Sequence, residues 1–224
     1  MTDMFQWDGS DRSPGLRVTS WPGRALLFII AGSATLLAAP TAWAEGTTLD
    51  IIGDMEVVID GEQSDRVMLA GTVAGDAGES AFIEQTKMPT GPSLWQLNIT
   101  GYDPEGENLL TENTIAISAS LGTRRSEPTD ASRLSRLEMI WIKENGMRPE
   151  VAYVTEGHDH EDAEVTVEHF EFDGETGAIR GTVTGTACRL SMRNLMDGVD
   201  SDDCVSLEAR FDTQLALEVL DIDG

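Results

Sequence analysis

"NTIAISASL", residues 113–121, places Ile115, Ile117, Ala119 and Leu121 on one side of an extended chain and Thr114, Ala116, Ser118 and Ser120 on the other. Side chains of a strand alternate between two faces, so this period of two reads as a half-buried β-strand; a helix would repeat its apolar residues every three or four positions. The same period governs "LWQLNIT" (94–100), where Trp95, Leu97 and Ile99 oppose Gln96, Asn98 and Thr100. "MEVVID" (55–60) likewise sets Met55, Val57 and Ile59 together. Further strand-like runs occupy 66–73, 136–142, 150–155, 163–172, 178–187 and 205–219.

Turn chemistry separates these runs. Asp60-Gly61, Asp103-Pro104, Asn145-Gly146 and Asp173-Gly174 supply residues that tolerate positive φ or preset a turn. No segment sustains a helical stripe, although 129–137 has room for one short helical turn. About ten short strands with regular turns predict an all-β fold: a single antiparallel β-sandwich, with a small β-barrel as the alternative. Two hairpins resemble each other, "IDGEQSDRVMLAGTVAG" (59–75) and "FDGETGAIRGTVTG" (172–185). Shared turn vocabulary accounts for the likeness as well as duplication does. Gly71, Gly75, Gly181 and Gly185 are read as bulges or close packing across a curved sheet.

The N-terminus is of another kind. Residues 25–39, "ALLFIIAGSATLLAA", form an apolar run with Arg12, Arg17 and Arg24 before it and "PTAWA" after it. A basic lead, an apolar centre and small residues at Ala42 and Ala44 make up a secretory signal peptide, with cleavage expected between Ala44 and Glu45. About fifteen residues at 1.5 Å each fall short of a hydrocarbon core of about 30 Å. Residues 1–44 are therefore read as a cleaved signal peptide and 45–224 as a single β domain, with no membrane insertion after cleavage. No Arg-Arg pair precedes the run and no cysteine lies near the cleavage site, so neither twin-arginine export nor lipid attachment is expected.

The mature segment has 224 − 44 = 180 residues, enough for one domain with a sizeable core. Removing Asp3, Asp8 and Asp11 together with the three arginines takes 40 acids to 37 and 15 bases to 12, so the net charge stays at −25. Such a surface repels phosphate backbones and anionic lipid headgroups, which argues against nucleic acid and membrane surfaces as partners. Cations and basic proteins are its natural company. A lysine-poor acidic surface also suits a saline habitat, where salt screens self-repulsion.

Cys188 and Cys204 both lie in the exported part, where an oxidising compartment pairs them. Their bridge closes a loop of about fifteen residues, worth about 3 kcal/mol by chain entropy.

All three histidines fall within "EGHDHEDAEVTVEHFE" (156–171). His158 and His160 are two apart and share a side of an extended chain, and Glu161, Asp162 or Glu164 can add a carboxylate; such a set suits zinc, copper or nickel. His169 shares parity with Val165 and Val167 and lies about 25 Å or more along an extended chain from His160. That separation favours a solvated turn followed by an ordinary strand over a metal site built from His158, His160, Glu161, Asp162 and His169. "DGVDSDDC" (197–204) offers Asp197, Asp200, Asp202 and Asp203 to calcium, without the closing glutamate of an EF-hand.

Signals for catalysis are sparse. No GxSxG or similar nucleophile setting is present, the disulfide consumes both cysteines, and 37 acids offer too many pairs to single out two. Trp95, Tyr102, Trp141 and Tyr153 are candidates for a sugar-stacking platform, but strand periodicity places most of them in the core. The expected protein is a non-catalytic binding or interaction module of the bacterial-type cell envelope, periplasmic or secreted, with an envelope or extracellular partner. The alternatives are a periplasmic metal-binding protein using the His158/His160 stretch and an envelope hydrolase acting on glycans or esters.

Overall fold

A computed structural model of the chain describes residues 48–73, 76–106, 112–131, 134–143, 151–155, 163–191 and 198–221. The expected signal peptide and its cleavage site lie outside them. The strands are β1 (Thr48–Ile59), β2 (Glu62–Val73), β3 (Asp76–Glu79), β4 (Ala81–Lys87), β5 (Ser93–Gly101) and β6 (Thr114–Arg124). They continue as β7 (Ser135–Ile142), β8 (Val151–Val154), β9 (Ala163–Phe172), β10 (Thr176–Ser191) and β11 (Val199–Asp221). The all-β reading holds: every regular element among the described residues is a strand, and the 11 strands form one sheet. Among the described residues of 129–137 no helical turn forms; β7 begins within that span, at Ser135.

Pairing runs β11–β4–β5–β6–β7–β8–β10 and returns to β11, a closed circuit. β1, β2 and β3 branch from β11, and β9 branches from β10. All of these pairings are antiparallel except β4–β11, which is parallel and makes the sheet mixed where a purely antiparallel one was expected. The β1–β2 hairpin turns where the sequence placed it. Asp60 and Gly61 have φ of 49° and 86°, the paired positive values of a tight two-residue turn whose twist matches that of its strands.

The alternation becomes one core. Met55 and Val57 of β1 meet Trp95, Leu97 and Ile99 of β5, Ile115, Ile117 and Leu121 of β6 and Phe211 of β11 in a single buried cluster. Each fully buried aliphatic or aromatic side chain contributes about 1.5–3 kcal/mol, so this shared face dominates stability.

Two bulges correct the sequence reading. In β9, Val167 pairs with Gly181 and His169 with Arg180, leaving Glu168 without an opposite residue. The extra residue reverses parity, so Phe170 and Phe172 join Val165 and Val167 against the core while His169 faces outward and is exposed. His169 therefore does not share a face with the two valines. In β11, Cys204 pairs with Cys188 and Asp200 with Arg189, so Ser201, Asp202 and Asp203 bulge out. The acidic loop proposed for calcium is thus partly strand.

β4 escaped the sequence reading because Phe82, on the outward face between Ala81 and Ile83, breaks the apolar alternation. Within β4, Glu84 stands directly opposite Glu218 of β11. Burial, then repulsion by Glu218, raises the Glu84 pKa, while a hydrogen bond from Thr86 Oγ1 (3.0 Å) opposes the rise. A carboxyl whose folded pKa lies above its unfolded value costs stability once ionised in the fold, and the cost vanishes as pH falls below the unfolded pKa. Like charges directly opposite in a sheet cost roughly 0.2–1 kcal/mol. Glu84→Gln, which keeps an acceptor for Thr86, is expected to raise Tm at pH 7 by about 1–4 °C and to lose that advantage in acid. Thermal melts across the pH range check this; an equal gain at all pH values would remove the electrostatic explanation.

Candidate functional site

The ends of β5, β7 and β10 and the starts of β2, β6, β8 and β11 carry a connected set of polar and aromatic side chains. It begins with a charge inside the core. Arg66 follows the inward parity of Met68 and is only 1% exposed, opposite Met55 in the β1–β2 register. Gly101 makes room for it, since a Cβ there would lie 2.9 Å from Met55 Sδ and 3.0 Å from Arg66 Cβ.

The guanidinium is satisfied by three groups. Arg66 Nε–H donates to the Asn113 carbonyl at 3.0 Å, and Nη1 donates to the Asp65 carbonyl at 2.8 Å and lies 3.9 Å from Asp103 Oδ2. Burial lowers the Arg66 pKa, opposed by the charges of Asp103 and Asp65. Burial also pushes on Asp103, but hydrogen bonds from Asn113 and the Glu105 N–H, with the charge of Arg66, carry its pKa below the usual carboxylate value.

Asn113 connects this charge to the aromatics. It holds a left-handed φ of 53°, donates from Nδ2 to Asp103 Oδ2 at 2.7 Å and accepts at Oδ1 from Trp141 Nε1 at 2.9 Å. Asparagine tolerates that backbone better than most residues and offers both a donor and an acceptor. Trp141 stacks on Tyr153 with ring centroids 5.1 Å apart and planes tilted by 32°, and Lys143 Nζ lies 5.8 Å from the Trp141 ring centroid.

Tyr153 reaches the β11 bulge. Its hydroxyl donates to Asp203 Oδ1 at 3.2 Å, while Arg189 Nε lies 3.7 Å from Asp203 Oδ2. Burial first, then the negative charges of Asp203 and Asp60, raise the Tyr153 pKa against an opposing effect of Arg189. Cys188 and Cys204, each next in sequence to one of these charged residues, form the expected disulfide across directly paired positions. A disulfide is compatible with an oxidising, exported location.

The other sequence candidates are distributed as follows. His158, His160, Glu161, Asp162 and Asp197 lie outside the described residues. His169 Nε2 lies 3.9 Å from Glu171 on the exposed face of β9. Asp200 Oδ1 accepts the Asp202 N–H at 3.1 Å, and Asp203 belongs to Tyr153 and Arg189. Among the described residues, no group of three or more His, Cys, Asp or Glu is placed to hold a metal ion. Of the four aromatics proposed as a platform, Trp95 is 2% exposed and Tyr102 is buried, with its pKa pushed up to about 12; only Trp141 and Tyr153 stack.

Arg66 was legible in principle, as a charged residue at an inward-parity position of a strand. Asn113, Asp103 and Arg189 carry no local signal, because strands distant in sequence bring them together. The chain matches no protein-family model and no curated protein.

Proposed function

We propose that the protein is an exported, non-catalytic binding module of the cell envelope, periplasmic or secreted, whose partner is a basic protein. The observation that carries this reading is the charge of the outward strand faces. β9 turns out Glu164, Glu168 and Glu171, and β11 turns out Glu208 and Asp212. The arginines among them are already engaged: Arg180 Nε lies 2.9 Å from Asp212, and Arg210 lies 3.9 Å from Glu208. With a net charge of −25, the surface has carboxylates in excess for a cationic partner. The 69% exposure of Ile51 on β1 adds an apolar contact within the same strand system.

Binding of this kind depends steeply on ionic strength. Mature protein titrated with an arginine-containing peptide is expected to bind at low salt and to lose about tenfold or more in affinity by physiological salt. A citrulline version of the peptide, uncharged and nearly isosteric, is expected not to bind. Equal binding of both peptides, or none by the charged one at low salt, would overturn the reading.

A further inference from the structure

We propose that an arginine side chain of this basic partner docks on Tyr153, beside the carboxylate of Asp203 and in competition with Arg189. This rests on the partner reading above and places the contact. A guanidinium stacks on the face of an aromatic ring and pairs with carboxylates at its own edge; Tyr153 offers the ring and Asp203, on the Tyr153 hydroxyl, the carboxylate. Its ring is half-buried and backed by buried Trp141, so its position is fixed before a partner arrives. Preorganisation of this kind reduces the ordering cost of binding.

The carboxylate has capacity left. Asp203 is 44% exposed and, among the described residues, accepts one hydrogen bond, from the Tyr153 hydroxyl, with Arg189 at ion-pair rather than hydrogen-bond distance. Arg189, the base that competes for it, is itself 45% exposed.

The fold already contains two versions of the contact. Lys143 over Trp141 is a cation on this aromatic pair, and Arg189 beside Asp203 is a guanidinium on this carboxylate. An incoming arginine would replace the second and extend the first. The Trp141–Tyr153 pair alone would also suit a sugar; the carboxylate of Asp203 and the excess of negative charge select a cation instead.

Calorimetric titration of the mature protein with the arginine peptide, at low salt, tests the placement. Tyr153→Leu is expected to weaken binding about 2–5-fold, while Tyr153→Phe, which keeps the ring, binds within about twofold of the wild type. Arg189→Ala removes the competitor and is expected to tighten binding about threefold or more. Arg180→Ala makes the same change in total charge beside Asp212 and is expected to have little effect. Arg189 is exposed, so its variant reports even if Tyr153→Leu fails to fold. Equal effects of Arg189→Ala and Arg180→Ala would overturn the placement while leaving the basic-partner reading intact. Absence of any binding by the arginine peptide would remove both. Binding of a neutral oligosaccharide that Tyr153→Leu abolishes, without competition from the peptide, would assign the ring to a glycan and overturn the inference.

Discussion

Arg66→Ala is expected to lower the unfolding free energy by about 3 kcal/mol, because removing one member of a buried ion pair leaves its partners desolvated and uncompensated. Asp103, 18% exposed, can recover some hydration, which places the loss toward the lower end for such pairs. The Asn113 carbonyl loses a donor as well, and the vacated volume adds a cavity cost. In a domain of this size the change corresponds to a fall in Tm of about 6–12 °C. Arg66→Met, which fills the volume without the charge, is expected to lose less, and Arg66→Met/Asp103→Asn less than the sum of its parts. Chemical denaturation of the wild type, Arg66→Met, Asp103→Asn and the double variant measures the coupling. Strict additivity would mean that Arg66 is held by packing and backbone acceptors alone.

Acid should act on the same network. The Asp103 pKa is depressed in the fold, so its contribution is present above the unfolded carboxyl pKa and is lost as pH falls through the folded value. The acid limb of the stability profile is therefore expected to flatten in Arg66→Met.

Breaking the Cys188–Cys204 bridge is expected to cost about 3 kcal/mol, by a different route. The two residues stand opposite each other in the β10–β11 ladder, which is expected to persist in a Cys188→Ala/Cys204→Ala double variant because its backbone pairing does not depend on the sulfurs. The loss therefore falls mainly on the unfolded chain, which gains freedom once its loop of about fifteen residues opens. Denaturant titration distinguishes this from a packing defect. A lower midpoint with an equal or larger dependence on denaturant fits release of the unfolded chain, whereas a smaller dependence would indicate that the native bulge at Ser201–Asp203 had come apart.

The sequence disclosed what is local and periodic. "NTIAISASL" and "LWQLNIT" read as strands because apolar residues alternate with small or polar ones, and both are strands, although β6 buries Thr114, Ser118 and Ser120 as well as its apolar face. The Asp60-Gly61 turn was legible because few dipeptides accept two positive φ angles in succession. The cysteine pair was legible from compartment and number.

Bulges were not. A single unpaired residue at Glu168 reverses every following side chain, and nothing in "VEHFEF" marks which residue is the extra one. β4 was hidden by one outward phenylalanine. The candidate site was the least visible part, since Arg66, Asp103, Asn113, Tyr153 and Asp203 are spread over most of the described sequence and meet only through tertiary pairing. Sequence could flag an arginine pointing inward; it could not say that an asparagine 47 residues later would receive it.

The last strand also sets an order of events. β11 pairs with β1, β4 and β10, so two early strands and one late strand wait for the same partner. Until residues 199–221 are made, β1 and β4 each lack a neighbour and the circuit stays open. Closure therefore waits for pairings far apart along the chain, and sheets closed by such distant contacts fold slowly.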